Sequence, residues 1–220
     1  MKNYILSITL LTVTIHAKAQ DFNTREWAAP AHNKPLIFYL SGDGGFNKFS
    51  TSLCEGLNAK GYDVEALSCR SYFWDKKTPE QAAADIKNFL VQKLNGRSNQ
   101  QVVIIGYSFG ADVLPFILNR LPADLKGKII AACLMASSGS TDFEIHWSDI
   151  LGGHSKRNMD VATELNKVTN QKIIIISASD DKDLDLTKVT IKYKPEVLPG
   201  GHHFDGDTDE IIRVIVNDMN

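Results

Sequence analysis

Residues 106–110 read Gly-Tyr-Ser-Phe-Gly, where the apolar run VVII stops and ADVLPFILNRL begins as a helical pattern. A strand that turns sharply into a helix lifts the residue at its apex clear of the sheet. A glycine two positions to either side lets backbone and substrate approach without a Cβ in the way. Ser108 is therefore a candidate nucleophile. Its hydroxyl reacts poorly at neutral pH unless a histidine takes the proton and a carboxylate holds that histidine in the right tautomer. Both types follow in the chain, first as Ala178-Ser179-Asp180-Asp181 behind KIIIIS, then as Leu198-Pro199-Gly200-Gly201-His202-His203-Phe204. Asp181 is the best candidate acid, three residues beyond the small Ala178, with Asp180 as the alternative and Asp142 third. His202 directly follows the paired glycines and is the candidate base, with His203 as the alternative. His32, His146 and His154 have no comparable context and read as surface or locally hydrogen-bonded residues. An oxyanion would need backbone donors, and the N–H groups of Phe109 and of Asp43 or Gly44 in SGDGG are the candidates.

These groups can meet only if the ends of several strands lie side by side. Apolar runs at Lys34–Leu40, Tyr62–Cys69, Gln101–Ile105, Lys128–Met135, Lys172–Ser177 and Val189–Tyr193 read as strands. Helical patterns lie between them. One carries Phe49, Leu53 and Leu57 on a single stripe. Another opens on the capping box Thr78-Pro79-Glu80-Gln81 and buries Ala82, Ile86, Phe89, Leu90 and Leu94. A third, after Ser108, contains Pro115, which should bend it, and an amphipathic helix closes the chain at Thr208–Asp218. Such alternation predicts an α/β fold with a mostly parallel central sheet and helices on both faces. In that architecture ligands bind beyond the carboxyl ends of the strands, where Ser108, Asp181 and His202 all fall.

Composition narrows the class. Residues 1–19 begin with Lys2, continue in an apolar stretch and end in Ala17-Lys18-Ala19, the pattern of a signal peptide, so export to the periplasm is expected. Residues 20–220 suffice for a single domain. Without Lys2 and Lys18 the 24 basic residues become 22 against 26 acidic ones, a charge of −4, and no basic stripe suggests nucleic acid. Export would permit a disulfide between Cys54 and Cys69, on consecutive elements, although the odd count of 3 cysteines disfavours it and Cys133 reads as core. No metal-ligand spacing and no cofactor motif stand out: HHFDGD lacks both a helix-face histidine pair and a calcium-loop pattern.

The order serine, aspartate, histidine is that of the α/β-hydrolases. The blocks SGDGG, RSYFW followed by KTPEQAAADI, IIGYSFGADVLPF with NRLP, DFEIHWSDILGG and LPGGHHFDGD together resemble the bacterial virulence protein family AcvB/VirJ. The resemblance covers nearly all of the chain after the leader. It implies an α/β-hydrolase fold and an exported lysyl-phosphatidylglycerol hydrolase or a secretion-associated protein. AcvB-type members can carry an additional N-terminal region, and this chain is expected to hold the short hydrolase domain alone. The segment between Met135 and Lys172 leaves room for little or no lid.

The leading expectation is thus an exported serine esterase that forms an acyl-enzyme on a small-molecule or phospholipid-derived ester, in contact with a membrane surface. A general carboxylesterase or lipase is the nearest alternative, and a non-catalytic periplasmic binding or secretion-accessory protein on the same fold is the third. Asp43, Asp142, Glu144, Asp180, Asp181, Asp183, Asp205 and Asp207 all fall on segments expected at the mouth, so the mouth should attract cations. Tyr72, Phe73, Trp74 and Trp147 could cover the substrate or stack on a cation, with core packing as the competing role.

Overall fold

The computed structural model describes residues 22–150, 156–181 and 183–219; the expected signal peptide and His154 lie outside them. In chain order the elements are β1 (Thr24–Trp27), β2 (Leu36–Leu40), α1 (Lys48–Ala59), β3 (Val64–Leu67), α2 (Cys69–Tyr72), α3 (Pro79–Leu94) and β4 (Val102–Tyr107). There follow α4 (Phe109–Arg120), α5 (Ala123–Lys126), β5 (Ile129–Met135), β6 (Ser140–Thr141), α6 (Trp147–Ile150), β7 (Met159–Asp160) and α7 (Val161–Leu165). The chain closes with β8 (Ile173–Ala178), β9 (Lys194–Leu198) and α8 (Thr208–Met219). Seven strands form one sheet in the order β1-β3-β2-β4-β5-β8-β9, parallel except for the antiparallel edge strand β1.

The four central strands are continuous apolar runs because both of their faces are buried. Alternate side chains divide between two cores. Phe38, Leu40, Ile104, Leu134 and Ile175 pack with residues of α3, α4 and α7, while Ile37, Tyr39, Ile105, Cys133 and Ile176 pack with residues of α1 and α8. The capping box at α3 forms as its sequence implies: the Thr78 hydroxyl accepts from Gln81 N, and Gln81 Oε1 accepts from Thr78 N.

Three elements differ from expectation. The last strand is Lys194–Leu198 rather than Val189–Tyr193. The earlier segment instead lays Val189, Ile191 and Tyr193 against the core as a cover, and the strand itself is a largely exposed sheet edge where Pro195 is tolerated. Cys69 does not end β3; Ser68 caps a short helix there, its hydroxyl accepting from Ser71 N. β1 has no counterpart among the expected strands, since four residues at a half-exposed edge need no apolar run.

Packing at the nucleophile end of the sheet depends on two glycines. A Cβ on Gly110 would stand 2.7 Å from the Ser41 carbonyl oxygen, and one on Gly106 would stand 2.5 Å from the Gly110 carbonyl oxygen. Backbone cannot move aside as a side chain can. Gly110→Ala should therefore lose about 1–3 kcal/mol of stability. Gly127→Ala, where a Cβ meets nothing nearer than 3.5 Å, should leave the melting temperature nearly unchanged. Thermal unfolding followed by circular dichroism compares the two. All three cysteines are free and buried, and burial pushes their thiols well above the ordinary cysteine range. An aromatic disulfide reagent should therefore label none of them in the folded protein and all of them in denaturant.

Candidate active site

Ser108 sits between β4 and α4 at φ 52° and ψ −119°, a left-handed conformation that costs a non-glycine residue of order 1–3 kcal/mol and persists only where its surroundings hold it. They do so from two sides. Ser108 N donates to the Met135 carbonyl at 2.9 Å, anchoring the turn to β5. Gly42 brings the first-strand turn so near that a Cβ there would stand 3.3 Å from Ser108 Cβ.

The turns after β8 and β9 bring the other two groups to the same place. Ser179 N donates to Leu198 O and Asp180 N to Gly200 O, so the aspartate and histidine turns are tied by backbone. His202 Nε2 lies 2.8 Å from Ser108 Oγ, and His202 Nδ1 lies 2.5 Å from Asp181 Oδ2. A carboxylate can only accept, so Nδ1–H donates to Asp181 and Nε2 presents its lone pair to the Ser108 hydroxyl. Such an array can carry a proton away from Ser108 as its oxygen attacks an electrophile.

The alternatives are placed elsewhere. Asp180 is exposed and accepts from the Ser179 hydroxyl at 2.9 Å. Asp142 is bonded to His146 Nε2 at 2.8 Å. His203 turns away from Ser108, with Nδ1 at 2.5 Å from Tyr107 Oη, and Tyr107 Oη is also 3.2 Å from the His202 carbonyl. One hydroxyl proton serves the carbonyl, which can only accept, so His203 Nδ1–H donates to the tyrosine oxygen. Burial raises the Tyr107 hydroxyl well above the ordinary range, which keeps it a donor. His32 is bonded to Asp63 at 2.9 Å, away from the cleft.

Ser108 opens into a cleft of about 310 Å³ walled by the turn after β2, the start of α4, residues 138–144 and residues 183–188. Phe109 N–H, at the first position of α4, and Asp43 N–H, in the turn closed by Gly45 N to Gly42 O at 3.0 Å, have no acceptor among the described residues. Asp43 lines the cleft and the exposed Gly44 does not. The acidic mouth is only partly as expected. Asp43, Asp142, Glu144 and Asp183 line it, joined by Asp112, Asp160 and Asp185, while Asp180, Asp205 and Asp207 do not. Asp205 lies instead beneath the histidine turn, against Gly200. Three basic residues that the pattern did not reveal, Lys156, Arg157 and Lys188, also face the cleft. Tyr72 and Phe73 belong to the core, whereas Trp74 and Trp147 form an exposed edge-to-face pair with centroids 5.1 Å apart.

Asp112 went unnoticed in the sequence because it looks like an ordinary first-turn helix residue. It is buried, and its carboxylate accepts from Ser137 Oγ at 2.6 Å, Ser138 N at 2.8 Å and Ser138 Oγ at 2.5 Å, fastening one cleft wall to α4. Burial pushes it up to about 7, against those hydrogen bonds. Asp142, Glu144 and His146 bring three potential metal-ligand atoms within 4.8 Å of one another, but His146 already binds Asp142 and Glu144 faces Lys76 at 3.5 Å.

The VirJ family, described as bacterial virulence protein, matches the chain over residues 35–220. The chain belongs to this family. No curated protein matches it. Among solved structures, this VirJ-family chain resembles Est1E from Butyrivibrio proteoclasticus with ferulic acid bound, at 14% identity and TM-score 0.65, over 90% of this chain and 93% of that one. It also resembles a meta-cleavage product hydrolase from Pseudomonas fluorescens IP01, at 12% identity and TM-score 0.63, over 90% and 93% of the two chains. A thioesterase domain from the curacin biosynthetic pathway aligns at 14% identity and TM-score 0.60, over 88% and 94%. The fold is that of the α/β-hydrolases.

The bond from Tyr107 to the histidine turn yields a direct test. Tyr107→Phe leaves His203 Nδ1 and the His202 carbonyl without their partner and frees the turn that carries His202. It should slow phosphonylation of Ser108 by a fluorophosphonate roughly tenfold, since small misplacements of reacting groups cost about that much or more. Stability should fall by only about 1 kcal/mol, as for one hydrogen bond.

Proposed function

We propose that this chain is a serine esterase that works through an acyl-enzyme. The observation that carries the reading is the Ser108–His202–Asp181 array, at 2.8 and 2.5 Å, on a strained turn beside two unengaged N–H groups. Ser108 Oγ attacks the ester carbonyl while its proton passes to His202 Nε2. The carbonyl oxygen becomes an oxyanion held by Phe109 N–H and Asp43 N–H, at the positive end of α4. Collapse breaks the bond to the alcohol, which takes the proton from His202. Water then adds to the acyl carbon with its proton going to His202, and Ser108 is released with that proton as the acid departs. Asp181 holds the imidazole tautomer and stabilises the imidazolium.

Within that chemistry we propose a lysyl ester of phosphatidylglycerol as substrate, acted on after export to the periplasm. The family resemblance suggests it, and the cleft supports it with the half-buried carboxylate of Asp43, which has no partner among the described residues. The exposed Trp74–Trp147 pair suits contact with a lipid surface, where aromatic rings with polar edges reside.

A fluorophosphonate should label the wild-type protein at Ser108 and should fail to label Ser108→Ala. Ser108→Ala, His202→Ala and Asp181→Asn should each lower kcat for release of lysine from lysyl-phosphatidylglycerol vesicles by several orders of magnitude, on the order of 10³ or more. His203→Ala should cost far less. Labelling that survives Ser108→Ala would refute the nucleophile. Full labelling with no lysine release would leave the esterase standing and remove the substrate.

A further inference from the structure

Asp43 is unusual among the carboxylates of the cleft. Asp142 is paired with His146, Glu144 with Lys76 and Asp185 with Lys188, Asp160 caps α7 by accepting from Thr163 N, and Asp112 is enclosed by serines. The Asp183 carboxylate has no partner among the described residues either, but it is exposed, on the loop beyond Asp181. The half-buried Asp43 carboxylate has no hydrogen bond or ion pair among the described residues, although it lines the cleft with Ser108 and stands next to Gly42, which touches Ser108.

On the reading that Ser108 is an ester nucleophile, the main chain of Asp43 supplies one oxyanion donor. Its side chain then brings a negative charge to the neighbourhood where negative charge develops. For an acyl group without charge this raises the barrier, because like charges in a partly desolvated cleft repel strongly. For an acyl group bearing an ammonium on its α-carbon, the cation enters the same partly desolvated neighbourhood and the carboxylate becomes attractive. We propose that Asp43 selects the acyl group: it favours esters with a free α-ammonium and discriminates against neutral acyl groups at the same site. The discrimination comes from an unpaired charge that penalises the wrong substrate as much as it welcomes the right one. Lys156, Arg157 and Lys188, the basic residues of the cleft, leave this carboxylate unpaired.

The test compares alanyl and Nα-acetylalanyl esters of 4-nitrophenol in wild type and Asp43→Asn, at about pH 6.5, where an α-amine is largely protonated. Asparagine keeps the main-chain N–H and the side-chain shape while removing the charge. Wild type should prefer the free-amine ester by roughly ten- to a hundredfold in kcat/KM. Asp43→Asn should shrink that ratio about tenfold or more, in part through a higher kcat on the acetylated ester. That rise is what a merely structural role for Asp43 would not produce. Added salt should reduce the wild-type preference and leave the variant nearly insensitive. If both esters are hydrolysed and the ratio is the same in wild type and variant, the inference falls and the esterase remains. If wild type hydrolyses neither ester and fails to react with a fluorophosphonate, the esterase reading falls and takes the inference with it.

Discussion

The approach of helix α4 to the carboxyl ends of β2 and β4 is the contact from which the site follows. With hydrogen alone at Gly106 and Gly110, the first turn of α4 presses against the main chain of residues 40–41, and Ser108 is left at the sharp turn between β4 and α4. The positive φ of Ser108 is the local cost of that packing, and its bond to Met135 and the burial of β4 on both sides offset it. The same contact leaves the Phe109 N–H at the start of α4 without an acceptor among the described residues. One steric fact thus leaves the half-buried Ser108 hydroxyl at the cleft and within reach of the histidine turn.

The parts of this arrangement legible in the sequence are those that rest on burial from both sides or on glycine. β2, β4, β5 and β8 announce themselves because a strand covered on two faces must be apolar throughout, and the turn at 106–110 because few residues other than glycine fit there. β9 was displaced for the same reason in reverse. It is an edge, KPEVL, with charges and a proline, while the segment before it, VTIKY, carries the apolar side chains that shield the sheet without joining it. Alternating apolar residues show that a segment packs on something, and hydrogen bonding decides whether it is a strand. The aromatic run at 72–74 divides by the same logic: the short helix after Ser68 turns Tyr72 and Phe73 inward and leaves Trp74 outside.

The relation between the two histidines is a second case in which neighbours in sequence part company in space. The backbone link between the β8 and β9 turns directs His202 to Asp181 and Ser108. His203, one residue on, reaches back to Tyr107, the residue immediately before the nucleophile. The variable position inside the GxSxG motif therefore holds the histidine turn as well as filling the core. That coupling needs the register of β4 against the distant histidine turn, and no local pattern carries it.

The charge of the cleft was the least legible feature, because it depends on which loops meet. Lys156 and Arg157 precede β7, and Lys188 follows Asp181 by seven positions, yet all three line the same cleft as Asp43. Their presence changes what the carboxylates can do. On that wall Asp185 is neutralised by Lys188, and Asp160 is engaged by the helix it caps, so an excess counted over the whole mouth overstates the field there. Among the described residues no such compensation reaches Asp43. A field made this way is short in range and attached to one residue, in the turn whose Gly42 lies against Ser108.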